Sequence, residues 1–174
     1  METTWVTSLG GPLILIPQSA CPLWRGAPPN YPEGEEGEGD YGRACAIDGY
    51  IGLADVGHAK ALVLGDYPAR TTFLPGHRTL LRKIAGGNDE EITAAALGAL
   101  PTIDWESQLT WEITEPLILF DSAWDYPYVV SAGEEQLCID LPPGRYSAEA
   151  AYLEIPDTAY LILIRLTPAR QATN

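Results

Sequence analysis

A mainly β fold, with antiparallel sheets in a sandwich-like arrangement and one clear amphipathic helix, is what this sequence predicts. Three observations lead there. Short apolar runs recur along the chain, separated by Gly, Pro, Asn and Asp. The spacing between them is too short for parallel pairing, which needs crossovers of about a dozen residues or more. Only one segment repeats its apolar residues at helical spacing over several turns. With 174 residues, 46% of them hydrophobic, the chain should bury roughly 70% of its unfolded surface without metal or disulfide staples. Residues 1–174 read as a single domain. Its possible halves are a β meander over 1–87 with an acidic loop at 27–40, and a β half over 104–174, joined by the helix.

Leu13 to Ile16 lies between Gly10-Gly11-Pro12 and Pro17 and reads as a buried strand. Ser19 to Gly26 reads as a brief helical turn with Leu23 and Trp24 packing inward. Ala27 to Asp40 is expected to be a mobile loop, because Pro28, Pro29 and Pro32 break structure and Glu33, Glu35, Glu36 and Glu38 alternate with glycine. Strands are expected at Tyr50 to Val56, Ala61 to Leu64, Thr71 to Leu74 and Thr79 to Ile84, forming an antiparallel meander. The helix spans about 89–100. Asn88 caps it, Asp89, Glu90 and Glu91 suit its positive end, Ile92, Ala95, Ala96, Ala99 and Leu100 form its stripe, and Pro101 ends it. Alternation then predicts strands at Leu109 to Ile113, Leu117 to Phe120 and Leu137 to Leu141, followed by Arg145 to Glu154 and Ala159 to Leu166. Leu161 to Ile164 is apolar on both faces, so the last of these should be a central, doubly covered strand.

Net charge is −14 and the sequence pI is about 4.3, which argues against nucleic acid and anionic membrane as partners. The acids are unevenly placed. Residues 1–87 carry nine acids and seven bases, a net of −2, whereas 88–174 carry fifteen and three, a net of −12. No Lys or Arg stands between Lys83 and Arg145. Unless the fold brings distant arginines against it, that block creates a field that steers basic partners.

Motifs for catalysis are missing. There is no GxSxG elbow, HExxH, Walker loop or strand-linked GxGxxG. His58 and His77 sit in turns beside glycine and read as surface residues, with a ligand or base as the alternative. Glu112 or Glu115 with Asp121 or Asp125 could form a carboxylate pair, but 24 acids give such pairs by chance. Tyr41, Cys45 and Asp48 frame a possible nucleophile with no placed histidine, and a structural cysteine is the simpler reading. Cys21, Cys45 and Cys138 make no zinc spacing and, without an export signal, are expected as free thiols in the cytoplasm. The expectation is therefore no catalysis, no cofactor and no metal.

Binding has better material. Phe120 to Tyr128 has loop composition and interleaves Trp124, Tyr126 and Tyr128 with Asp121 and Asp125 inside the acidic block. Trp and Tyr are frequent hot-spot residues, and carboxylates beside them suit a basic partner. Glu112, Glu115, Asp121, Trp124, Asp125 and Tyr126 are thus the candidate contacts. The alternative is that Trp124 and Tyr126 cap the core and the acids are merely solvated.

Trp5, Ser8-Leu9-Gly10-Gly11-Pro12-Leu13-Ile14-Leu15, Trp24 and Gly26 resemble the start of immunity protein family 21 of bacterial polymorphic toxin systems. The resemblance continues through Asp40-Tyr41, Arg43-Ala44-Cys45, Asp48-Gly49-Tyr50, Gly52-Leu53 and Val56-Gly57, and is firmest at Ala61 to Asp66 and Pro68. It covers roughly Trp5 to Ile84, with a looser match at Leu141 to Tyr146. It implies an intracellular protein encoded beside a toxin, which it binds and inactivates in the producing cell. It carries over no catalytic residues. It also implies an acid at position 67, where this chain has Tyr67, and marks Glu33 to Asp40 as an insertion. The implied partner is a cognate toxin domain, basic if it acts on nucleic acid. The rival readings are a β-sandwich module binding a small ligand or glycan through Trp105, Trp111 and Trp124, and a carboxylate-based hydrolase.

Overall fold

A computed structural model describes residues 3–29 and 39–170. Within these, the chain runs β1 (Leu13–Pro17), a 3-10 turn (Gln18–Leu23), α1 (Gly39–Cys45), β2 (Ile51–Val56), β3 (Ala59–Leu64), β4 (Arg70–Leu74) and β5 (Thr79–Gly86). It continues with α2 (Asp89–Ala99), β6 (Glu106–Ile113), β7 (Leu117–Asp121), α3 (Tyr126–Ala132), β8 (Leu137–Ile139), β9 (Gly144–Ile155) and β10 (Ala159–Pro168). The strands form two five-stranded sheets, ordered β2-β3-β1-β7-β8 and β4-β5-β10-β9-β6. Every pairing is antiparallel.

The strands between 50 and 84 are therefore not one meander. They are two hairpins in different sheets, because the chain crosses from one sheet to the other after Leu64. Asp66 makes that crossing in the left-handed region, at φ 62. Each sheet draws strands from both sides of α2.

Alternation along the strands builds three apolar layers. Leu13, Leu15, Leu62, Leu64 and Leu119 of the first sheet face Leu80, Trp111, Ile162 and Ile164 of the second. On the first sheet's outer face, Ile14, Ile16, Val63 and Phe120 pack against Cys21, Trp24, Ala44 and Val129. On the second sheet's outer face, Leu81, Leu161 and Leu163 lie under Ile92 and Ala96 of α2. Burying such a side chain stabilises by about 1.5–3 kcal/mol, so a strand covered on both faces anchors its sheet. The Leu161–Ile164 stretch is fully buried in the central strand of its sheet, as its composition predicts. β1 occupies the same place in the other.

Asn88 caps α2 by accepting from the backbone N–H groups of Glu90 and Glu91. Two further helices lie where loop was expected. α1 begins at Gly39, inside the expected 27–40 loop, whose residues 30–38 are outside the described residues. α3 falls in the Phe120–Tyr128 segment and beyond it. Asp125 caps it through an N–H from Tyr128 (2.9 Å), Pro127 sits in its first turn, and Gly133 stops it at φ 68. Leu23 does not pack inward as Trp24 does. It is half exposed and lies over Gly57, where even a Cβ would come within 2.4 Å of it. No helix among the described residues is long and apolar enough to cross a membrane.

Candidate functional site

The loop before β1 organises one end of the first sheet. Ser8 Oγ donates to Gly11 O (2.5 Å) and accepts from Gly10 N (3.1 Å), closing the loop on itself. Asp121, at the end of β7, then fixes it to the sheet. One carboxylate oxygen accepts from Leu9 N (2.8 Å) and the other from Ala123 N (2.9 Å). Burial pushes the Asp121 carboxyl up, against the pull of those two donors. Ser122 Oγ donates to Pro12 O (2.5 Å), and Trp24 Nε1 donates to Ser122 O (2.9 Å). A Cβ on Gly11 would stand 2.2 Å from the Tyr41 hydroxyl, so any other residue there must displace that ring.

Three depressions meet around this loop. One, of about 610 Å³, is bounded by Leu9, Gly11, Tyr41, Trp124 and Tyr128. A second, of about 330 Å³, shares Leu9 and Trp124 and reaches Glu134 and Glu135. A third, of about 210 Å³, shares Gly10, Gly11 and Tyr41 and reaches Gly65 and Asp66. They adjoin through these shared residues to form a dimpled strip, the groove, with Tyr41, Trp124 and Tyr128 along it, Asp66 at one end and Glu134 and Glu135 at the other. Trp124 and Tyr128 stack with ring centroids 4.7 Å apart, and Leu9 is 69% exposed beside them.

The Asp66 end rests on a buried arginine. Arg82 of β5 reaches across to the first sheet. It donates to the carbonyls of Gly65 (2.9 Å), Leu64 (3.1 Å) and Tyr67 (2.7 Å), with a longer approach to Tyr50 O (3.5 Å). Burial pushes its guanidinium down to about 10, with Asp66 opposing, so it stays charged at neutral pH. No carboxylate pairs with it among the described residues. Three carbonyls and the field of Asp66 hold the charge instead, and the crossing turn is pinned with Asp66 exposed at its tip.

Residues singled out from the sequence thus converge from both halves of the chain. Gly10, Gly11, Pro12, Gly65 and Asp66 line the groove with Asp121, Trp124 and Asp125. Others lie elsewhere. Tyr126 is partly buried against Phe120, with centroids 5.4 Å apart, and its hydroxyl bonds Gln136. Glu115 accepts from the backbone and hydroxyl of Ser19 at the other end of β7 from Asp121. Glu112 is exposed on β6. Trp5 packs with α2, with the Arg70 guanidinium 5.0 Å from its ring. Asp48 is exposed in the turn before β2.

The same placement bears on the rival chemistries. Glu115 and Asp121 are separated by the length of a strand, and neither histidine lines the groove. Trp111 is core, Trp105 lies under Arg165, and Trp124 is in the groove, so the three share no site. No group of three or more potential metal ligands exists among the described residues. Of the twelve acids between Lys83 and Arg145, only Asp89 forms an ion pair among the described residues, with Arg70 and Lys83. The other acids of the block have no Lys or Arg within ion-pair distance among the described residues, although Arg145 stands opposite Glu112 across β6 and β9.

The sequence reading missed Leu9 and Tyr41 as groove residues and Arg82 as their support, and included Tyr128 only as the end of the Phe120 to Tyr128 segment. A single exposed leucine in a Gly-rich loop, and an arginine inside an apolar strand, were the signals available. A family model described as Immunity protein 21 matches residues 4–159. No curated protein and no solved structure gives a match.

Proposed function

The chain belongs to the immunity protein 21 family, and on that premise we propose that it binds and neutralises a cognate toxin domain in the producing bacterium, by contact and not by catalysis. The observation that carries this is the groove around Leu9. Residues from two distant parts of the sequence build a surface with an aromatic middle and acidic ends, and the acids at those ends, Asp66, Glu134 and Glu135, form no ion pair among the described residues. Aromatic anchors in a desolvated cleft supply most of the binding energy in such interfaces, while the surrounding charge speeds encounter with a basic partner. A toxin domain with a basic face, as one acting on nucleic acid would have, is the fitting occupant.

Co-expression with the toxin encoded beside it should restore growth, and an unrelated acidic protein should not. In purified form, Trp124→Ala should raise the dissociation rate by about 30-fold, the effect of removing a hot-spot aromatic. Asp66→Asn with Glu134→Gln should instead slow association, more at low salt than at high salt. Asn tolerates the left-handed turn at position 66, so the first of these leaves the backbone in place. Unchanged rates for folded variants of both kinds would remove the groove from the interface.

A further inference from the structure

β9 and β10 have twelve and ten residues, whereas no strand of the facing sheet exceeds six. At about 3.3 Å per residue, their hairpin end must project well past the sheet that covers the rest of the sandwich. Register shows which side chains this leaves bare. Tyr152 pairs with Ile162 and Tyr160 with Glu154, and Ile162 belongs to the inter-sheet core, so Tyr152, Glu154 and Tyr160 point to the inner face. Glu106 pairs with Ala150 on that face too. The outer face of the same projection is closed, with Leu153 and Ile155 packed on the α2 cluster.

Two residues of the first sheet's loops come up to this overhang. Arg82 pairs with Ile162, the strand partner of Tyr152, and its guanidinium reaches Tyr67 O (2.7 Å) and approaches Tyr50 O (3.5 Å), so both loops end beside the overhang, and both tyrosines act on the Tyr152 phenol, after desolvation, Glu154 and Tyr160. Asp66 and Glu106 act likewise on Tyr50. Four of the nine tyrosines of the chain thus gather in one place. Tyr67, Tyr152 and Tyr160 are each 45–49% exposed. Asp66, Glu106 and Glu154 stand among them, and none forms an ion pair among the described residues. Arg82, which lies beneath the Asp66 turn, is buried and occupied with backbone carbonyls.

We infer that this overhang, which adjoins the groove at Asp66 and Tyr67, is a docking surface in its own right, and that it receives an arginine-bearing segment of a basic protein partner. A guanidinium stacks on a tyrosine face while its N–H fork meets a carboxylate, a pairing for which lysine is a poorer fit. Half-exposed tyrosines interspersed with unpaired acids offer both halves of that contact. Only the identity of the partner, the toxin domain, rests on the function proposed above; the surface itself does not.

The test has two arms. In the first, hexa-arginine peptide is titrated into the full chain and followed by NMR of the tyrosine and tryptophan rings. The expected result is shifts concentrated at Tyr50, Tyr67, Tyr152 and Tyr160, with binding weakened about tenfold by Tyr152→Ser/Tyr160→Ser and severalfold by Glu106→Gln/Glu154→Gln. The acid pair keeps the test open should the tyrosine pair disturb folding. Shifts as large at Trp124 and Tyr128, or affinity unchanged in folded variants, would overturn the inference. In the second arm, the same variants are measured against the cognate toxin domain, and a dissociation rate raised about tenfold is expected. Peptide binding at the overhang by a chain that does not bind the toxin would leave this surface standing and defeat the proposed function. Toxin binding that is lost in Trp124→Ala but unchanged in both overhang variants would do the reverse.

Discussion

Replacing Arg82 by Met should destabilise the protein by about 3 kcal/mol. The figure follows from its contacts. Met keeps most of the buried volume, so the cavity contribution is small. What is lost are the donors to Leu64 O, Gly65 O and Tyr67 O. Tyr50 O does not add to the loss, because Gly65 N also donates to it at 2.9 Å. Each hydrogen bond from a charged donor contributes about 1.5–3 kcal/mol net, and a buried carbonyl left alone costs about 1–3 kcal/mol. Against this, the variant no longer buries a charge, and the Nε of Arg82, which has no partner among the described residues, disappears. Three bonds near the low end of the range, less that relief, give the value above. Urea unfolding should show the midpoint falling with the slope unchanged. Thermal unfolding should drop by about 6–12 °C for a domain of this size. Arg82→Lys should recover part of the loss, since an ammonium donates to fewer carbonyls from one point. A loss below about 1 kcal/mol for the Met variant would refute the reasoning, by showing that the carbonyls find water or one another.

Two other outcomes are expected. Asp89 is held below the ordinary carboxylate range, first by the hydrogen bond from Lys83 and then by Arg70. Its folded value is depressed, so its stabilisation is present above the unfolded value and is lost as pH falls through the folded one. Asp89→Asn should cost about 1 kcal/mol at neutral pH, and the gap to wild type should close below about pH 4 in pH-dependent melts. Thiol labelling of the native protein should be fast at the exposed Cys45 and Cys138. Cys21 is buried, and burial together with Glu115 pushes its thiol up to about 12, so it should react only on unfolding; three equally fast thiols would contradict this placement.

Strand positions were legible because burial on a β face imposes a period of two, and α2 because its cap, acids and stripe all agree. The sheets were not, since nothing local at Gly65-Asp66 states that the chain changes sheet. α3 was hidden by its composition: Tyr, Pro and Val are poor helix formers, and tertiary packing of Val129 outweighs that. Its cap at Asp125, Pro127 and the stop at Gly133 were nevertheless readable. Trp124 and Asp121 were chosen for their types, and both line the groove, but Asp121 turned out to be an internal brace with its oxygens already occupied. The tyrosine overhang escaped notice because its members are up to 110 positions apart, and only the register of β9 with β10 and the reach of Arg82 to the loops at Tyr50 and Tyr67 assemble them.

The order of the strands also sets a timetable. Leu9 is held by the carboxylate of Asp121, 112 positions further along the chain, and Leu13 has one of its two strand partners in that same residue. The other sheet has β10 at its centre, so it waits longer still. At about 5–20 residues per second, the N-terminal loop spends seconds as a free chain before its brace exists. The surface around Leu9 therefore exists only once β7 has been made, and no shorter nascent chain can present it.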